Sequence, residues 1–400
     1  TWGWMDNASD ETGFKVYTDL GSSAPVTLQA TLATPDLNAW TQEDLSANTQ
    51  YAFQVCAYNT NVDSEKTDTL AAYTLIEPVQ ALAFANVGMD SLSVASANTP
   101  SNLAAGNSGL QFANTTLGTA SVWQQDNSAW TSSGLTANAP YVFTGQSRNG
   151  DSVATQAATT TKYTLAGAPA VGDTITCSQS LSTLYPAGTT FVFSNPAGFG
   201  ESVHGGASDK VSAFTYAWDN SPTHAFTGAE PAWNSGVFSQ SPTVSGSYYL
   251  HLQSLNGDGV GSGALDYGPF SIDVEAPTST ISLSDSSPTG KDAVHFNVDF
   301  SESVGTTFDV SDVTLTGTLS GTPVVTGTDP HYVVTVAVTN PGANGAIGIA
   351  IGHNVNDAAG NKCPEGSSTL YSITQWPGLS TLSNIRVYIG DEYTFSVPLN

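Results

Sequence analysis

Basic residues are scarce in this chain. Eight lysines and arginines stand against 34 aspartates and glutamates in 400 residues, a formal net charge of -26. No basic cluster exists to neutralise phosphates, which excludes nucleic acid as a partner and disfavours anionic membrane surfaces. Divalent cations are the natural counter-ions, Ca²⁺ first, because it takes carboxylate and carbonyl oxygens. Cysteine is also rare: Cys56, Cys177 and Cys363. They form no CxxC or Cys/His pattern of a zinc site. Isolated thiols, or one inter-domain disulfide with a thiol to spare, are what such spacing permits. No apolar run approaches the roughly 20 residues needed to span a bilayer. No signal peptide is visible and the first residue is Thr1, so a mature or partial product is expected. Catalytic signatures are missing too: there is no GxSxG, HExxH, P-loop or GxGxxG. The six histidines, His204, His224, His251, His295, His331 and His353, include no pair at metal-ligand spacing. Glu201 and Glu230 on loops make a coincidental glycosidase pair at best. The expectation is a chain that is not an enzyme.

What is present is β-forming. Aromatics make up 10% of residues and charged ones only 10%, with Ser, Thr, Ala, Gly, Asn and Val filling the rest. This is too aromatic and β-branched for disorder, and too poor in helix formers for a helical protein. The chain also repeats itself at a spacing of 90 residues. Ala39-Trp40 returns as Ala129-Trp130, and Leu45-Ser46-Ala47-Asn48-Thr49-Gln50-Tyr51-Ala52-Phe53 as Leu135-Thr136-Ala137-Asn138-Ala139-Pro140-Tyr141-Val142-Phe143. Asn59 matches Asn149, and Tyr73-Thr74-Leu75 matches Tyr163-Thr164-Leu165. A fixed period carried by alternating apolar residues points to tandem β domains. Tyr51 and Tyr141 are then expected at the same place in two superimposable sandwiches.

The pattern Trp4-x-Asp6-Asn7, Gly13-Phe14-x-Val16, then Thr49-x-Tyr51-x-Phe53-x-Val55 resembles a bacterial fibronectin type III domain. That resemblance implies a core Trp at Trp4 and a corner Tyr at Tyr51. Residues 1–75 are thus expected as one such unit lacking its first strand. Residues 76–165 are the second copy, with Val94 in place of the Trp. Residues 166–273 resemble the broader Ig/fibronectin-like class through the strands around Phe214–Trp218 and Gly246–Leu252, with a loop from Ser221 to Gly236 between them. In residues 274–374, Phe300-Ser301-Glu302-Ser303-Val304, Phe308-Asp309-Val310 and Asp357-Ala358-Ala359-Gly360-Asn361 resemble the bacterial Ig-like domains of large surface proteins. Residues 375–400 read as the start of a further β domain or as donor strands. The fold class implied is all-β, a tandem array of immunoglobulin-like and fibronectin type III-like β-sandwiches.

Candidate sites are few. Asp273 and Glu275 lie where the third unit meets the fourth, and Glu302 and Asp357 reach that end if the fourth unit is an Ig-like sandwich. Carboxylates converging at a junction repel without a cation, so a Ca²⁺ site is expected there. Asp357 has a plainer role as well, closing a turn through its own backbone. Trp40, Trp130 and Trp218 are expected to fill sandwich cores. Trp233, between Pro231 and Asn234, is expected as a surface platform for glycans. Trp123 also offers a ring for sugar stacking. Asn7-Ala8-Ser9 and Asn114-Thr115-Thr116 fit the glycosylation sequon. The resemblances imply an extracellular structural protein of a bacterial cell surface, whose partners are copies of itself in a surface layer or filament. The alternative is an adhesin or carbohydrate-binding accessory region of a large secreted protein. Strand donation from 379–400 into the first unit would build a head-to-tail fibre.

Overall fold

The computed structural model describes residues 1–207, 210–352 and 354–374; the donor strands expected within 375–400 lie outside them. The strands follow the side-chain alternation. In Ala293–Phe300, Val294, Phe296, Val298 and Phe300 are buried while the residues between them are only half-buried. That period-2 pattern gives a sheet one apolar face, which is stable only against a second sheet. Every described element is a strand except a single 3-10 turn at Val310–Asp312. The protein is all-β, and no sheet runs from one of its four strand groups into the next.

In the first group, Leu28–Leu32, Gly13–Leu20, Gln50–Tyr58 and Leu70–Tyr73 form one antiparallel sheet in that order, and Trp2–Gly3 pairs with Ala39–Trp40. Phe14, Val16, Phe53 and Val55 are its core, with Trp2, Trp4 and Trp40 packed against them. The second group repeats the arrangement. Thr119–Ala120, Gly109–Asn114, Pro140–Arg148 and Ala158–Tyr163 make the larger sheet. Trp130–Ser133, Ser91–Ser96 and Leu82–Ala85 make the smaller one, and its last strand has no counterpart in the first group. Tyr51 and Tyr141 occupy equivalent strands. The Tyr51 hydroxyl accepts the Ser46 N–H at 3.1 Å and the Tyr141 hydroxyl accepts the Thr136 N–H at 2.8 Å, a corner five residues upstream in both. The reach of the Tyr side chain across the turn fixes where the chain passes between sheets.

The third group has a five-stranded sheet, in which the long strands Gly246–Leu255 and Gly261–Ile272 lie beside Ala213–Asp219, and a three-stranded one. Trp233 is a correction to the sequence reading. It lies on a two-residue strand, Ala232–Trp233, is only 5% exposed, and packs into the third core against Phe199, Phe214 and Phe238. Its indole N–H donates to the carbonyls of Ser235 and Gly236, so neither ring face is free for a sugar. Trp130 and Trp218 pack on the second and third cores, and Trp123 lies under the Arg148 guanidinium at 4.4 Å. In the fourth group, Val294, Phe296 and Val298 meet Ile347, Ile349 and Ile351 from the opposite sheet, with Tyr371 at one end. The three cysteines are free, and burial foremost pushes each thiol up. Of the two sequons, Asn7 is exposed but Asn114 is buried, its amide donating to Ser132 Oγ.

Candidate functional site

Two of the pairs that repeat at 90 positions, Asn48 with Asn138 and Tyr73 with Tyr163, build joints between units. At the first joint, Asn48 sits in the left-handed region at φ 44°, which an Asn side chain tolerates better than most. Its amide group donates to the Asn102 carbonyl at 2.6 Å, and its Oδ1 accepts the Gly150 N–H at 2.9 Å. The neighbouring Asn149 donates to the carbonyls of Tyr73 and Thr74, and Asp151 accepts the Tyr73 N–H at 2.7 Å. The Tyr73 ring lies over Gly150 so closely that a Cβ there would stand 2.6 Å from it.

The second joint has the same parts. Asn138, at φ 49°, donates to the carbonyls of Gly200 and Lys210 and accepts the Gly257 N–H at 3.0 Å. Asn256 donates to the Thr164 carbonyl, Asp258 accepts the Tyr163 N–H, and a Cβ on Gly257 would lie 2.2 Å from the Tyr163 ring. In each case an Asn-Gly-Asp turn of one unit clasps the Tyr-Thr strand end of the unit before it. Both turns can be found in the sequence, as Asn149-Gly150-Asp151 and Asn256-Gly257-Asp258, but the second falls outside the 90-residue register. The first unit carries Asn59-Thr60-Asn61 where the second has this turn.

Charge strengthens the second joint. Lys162 pairs with Asp258 at 2.8 Å, and the Tyr163 hydroxyl donates to Glu201. That hydrogen bond foremost, with burial behind it, pushes the Tyr163 phenol up to about 12. A pKa raised by folding contributes stability that is complete below the ordinary tyrosine value near 10 and is lost as pH rises through about 12. Burial raises Tyr17, Tyr267, Tyr332 and Tyr371 as well, so difference absorbance titration should show several late tyrosines, of which Glu201→Gln returns one toward the ordinary range. Identical titration curves for the two chains would refute the assignment.

The third joint is built from carboxylates. One oxygen each from Asp273, Glu302 and Asp357 lie within 4.8 Å of one another. Glu275, expected as a fourth member, is exposed and outside this set; its backbone N–H donates to Asp273 Oδ1. Asp357 is buried and closes its turn, Oδ1 accepting from the N–H groups of Ala359, Gly360 and Asn361 at 2.7–2.9 Å. Asn361 spans the joint, its amide donating both to Asp357 Oδ2 and to the Asp273 carbonyl, each at 2.9 Å. An Asn side chain thus caps the preceding strand end here too, as Asn149 and Asn256 do. Burial foremost, then the charges of Asp273, Asp357 and Glu275, push the Glu302 carboxyl up. Like charges gathered in a partly dry place favour a proton or a cation. The oxygen-only donor set suits a hard ion such as Ca²⁺. Asp6, Glu11 and Asp36 gather similarly in the first unit, a grouping not expected from the sequence. The fold also brings together two of the histidines, His224 and His251, with ring centroids 5.3 Å apart.

Residues 273–373 are similar to the family described as Bacterial Ig-like domain. Among solved structures, the chain is similar to the chicken CNTN1 FN1–FN3 domains, at 11% identity and a TM-score of 0.27 over 66% of this chain and 91% of that one. It is also similar to a two fibronectin type III domain segment from chicken tenascin, at 16% identity and a TM-score of 0.30 over 40% of this chain and 87% of that one. No curated protein matches the sequence. A bacterial Ig-like domain over residues 273–373 is compatible with extracellular structural or adhesive roles.

Proposed function

We propose that this chain is a non-catalytic structural spacer of a bacterial cell surface, held straight by its joints and assembled with copies of itself into a layer or filament. The observation that carries this reading is the reuse of one clasp. Asn48, Tyr73 and Gly150 at the first joint match Asn138, Tyr163 and Gly257 at the second. Linkers between independent binding modules are commonly polar and loosely held. Here each linker is hydrogen-bonded to the following unit, which favours a stiff element that sets distance. Ca²⁺ at Asp273, Glu302 and Asp357 would stiffen the third joint in the same sense, and the acidic surface makes divalent ions the bridge between copies. Trp233 is buried, which speaks against a glycan platform at that ring.

Electron microscopy of the purified chain with and without Ca²⁺ tests the assembly. Sheets or fibres of regular repeat are expected with the ion. Single, unassociated particles at every protein concentration, with Ca²⁺ present, would overturn it.

A further inference from the structure

The glycine that makes room for the tyrosine ring also makes each clasp chemically fragile. A Cβ on Gly150 or Gly257 would strike the ring of Tyr73 or Tyr163, so the position admits no side chain. Each of these glycines follows an asparagine. In an Asn-Gly pair nothing shields the glycine nitrogen from the preceding amide carbon, and the backbone turns freely enough for the two to meet. The matching turn of the first unit reads Asn59-Thr60 instead, with a stiff, β-branched side chain beside that nitrogen.

In the closed joints both reacting groups are held. Asn149 Oδ1 accepts the N–H groups of Asp151 and Val153 at 3.1 and 2.8 Å, and its amide nitrogen donates to the carbonyls of Tyr73 and Thr74. The Gly150 N–H is engaged too, donating to Asn48 Oδ1 at 2.9 Å. The second joint copies this arrangement. Asn256 Oδ1 accepts from Asp258 and Val260 at the same 3.1 and 2.8 Å, and its amide donates to the Thr164 carbonyl. The Gly257 N–H donates to Asn138 Oδ1. Both asparagines are only 1% exposed. The partners of the amide nitrogens and of the glycine N–H groups all belong to the preceding unit. Opening a joint therefore frees the reacting groups while leaving the turn's own bonds in place.

We infer that Asn149 and Asn256 are modification sites, inert while the joints are closed and converted to aspartate or isoaspartate when a joint opens. In the open joint the Gly150 nitrogen bonds to Asn149 Cγ. The Cγ–Nδ2 bond breaks, and the proton from the glycine nitrogen ends on the ammonia that leaves. A five-membered imide joins the two residues. Water then adds to one of its two carbonyls and breaks that carbonyl's bond to nitrogen. Attack at Cγ leaves aspartate, and attack at the main-chain carbonyl leaves isoaspartate, with the backbone rerouted through the side chain. The sum is one water consumed for one ammonia released, with no change of oxidation state. Asn256 and Gly257 react in the same way. Either product undoes the clasp, because the donor that faced the Tyr73 and Thr74 carbonyls becomes a carboxylate. Oxygen then faces oxygen in a buried place, with Asp151 adding like charge close by. A joint opened once stays open, so a passing load leaves a permanent hinge.

The full chain is incubated at neutral to mildly alkaline pH, native and in denaturant, and each Asn-Gly peptide is followed by mass and by isoaspartate content. Asn344-Gly345, the third such pair in the sequence, lies in the fourth unit outside both clasps and serves as an internal reference. Asn149 and Asn256 are expected to react at least about 10-fold more slowly in the native chain than in denaturant, the protection a closed local structure gives. Asn48→Gly keeps the left-handed backbone and deletes the acceptor for Gly150. It should speed Asn149 at least about 5-fold and leave Asn256 and Asn344 at their native rates. Asn138→Gly should speed Asn256 alone. Asn149→Asp, one of the two products, should widen the distances across the first joint in small-angle scattering. Equal native and denatured rates at the two joints would overturn the proposal. So would variants that speed both joints alike, or neither, with the reference unmoved, or an Asn149→Asp chain that scatters like the original. Should a variant fail to fold, the comparison of native and denatured rates in the intact chain still decides.

Discussion

Gly257→Val should unhook the third sandwich from the second while leaving both folded. A Cβ at this position stands 2.2 Å from the Tyr163 ring, and the ring cannot simply swing aside. Its hydroxyl is bound to Glu201 and its backbone N–H to Asp258. The larger side chain must therefore expel the ring, and with it go the hydrogen bonds from Gly257 to Asn138 and from Asn256 to Thr164. Forcing bulk into such a contact costs about 1–3 kcal/mol, here drawn from the joint, because Gly257 lies in a turn outside the third core. Small-angle scattering should show a wider spread of inter-unit distances and a flexible profile. Gly150→Val should do the same at the first joint, where the ring of Tyr73 is met at 2.6 Å. The control is a double-mutant cycle: in a Tyr163→Ala background, Gly257→Val should add almost nothing. Additive effects on stability, or an unchanged scattering profile, would show that the glycine does not serve the joint.

The repeat that reveals the joints in the sequence also conceals what they do. Alignment at 90 residues matches Asn48 with Asn138 and Tyr73 with Tyr163, which fixes equivalent places within units. The partners lie in the next unit, 102 residues from Asn48 and 119 from Asn138, a separation that no local pattern encodes. Strands such as Ala293–Phe300 were legible because alternation is a local signal, and the Tyr51 and Tyr141 corners because the turn is only five residues long. Trp233 was misread for the opposite reason. Its strand has two residues, too few to show alternation, and Pro231 and Asn234 gave the segment a loop's composition. His224 and His251 come together through strand register and a fold-back of the chain, neither visible in spacing. The carboxylates of the third joint were partly legible, since loops at one end of a sandwich converge. Which three would meet, and that Glu275 would stay outside, depended on side-chain directions.

Removing Ca²⁺ should lower the melting temperature of the fourth unit, and Glu302→Gln should remove most of that dependence. An ion that binds only the folded state at a concentration 100-fold above its Kd contributes about 2.7 kcal/mol. For a unit of about 100 residues this corresponds to a shift on the order of 10 °C. Glu302 is the best place to probe because its role is charge. Asp357→Ala would remove the ion and also the acceptor for three backbone N–H groups, so its loss of stability would be ambiguous. The pH dependence gives a second, independent reading. Burial and the neighbouring charges raise the Glu302 carboxyl above its ordinary value near 4.5. A raised carboxyl favours the folded state when protonated, so its contribution is complete below that ordinary value and is lost as pH rises through the raised one. In chelator, mild acidification toward pH 4.5 should therefore relieve the third joint, and Glu302→Gln should raise stability at neutral pH. With Ca²⁺ bound the slope inverts, since protons then compete with the ion for the same oxygens. Calorimetric melts of the intact chain and of Glu302→Gln, each with Ca²⁺ and with chelator across this range, separate the cases. Intact-chain melts that coincide with and without the ion would remove Ca²⁺ from the joint.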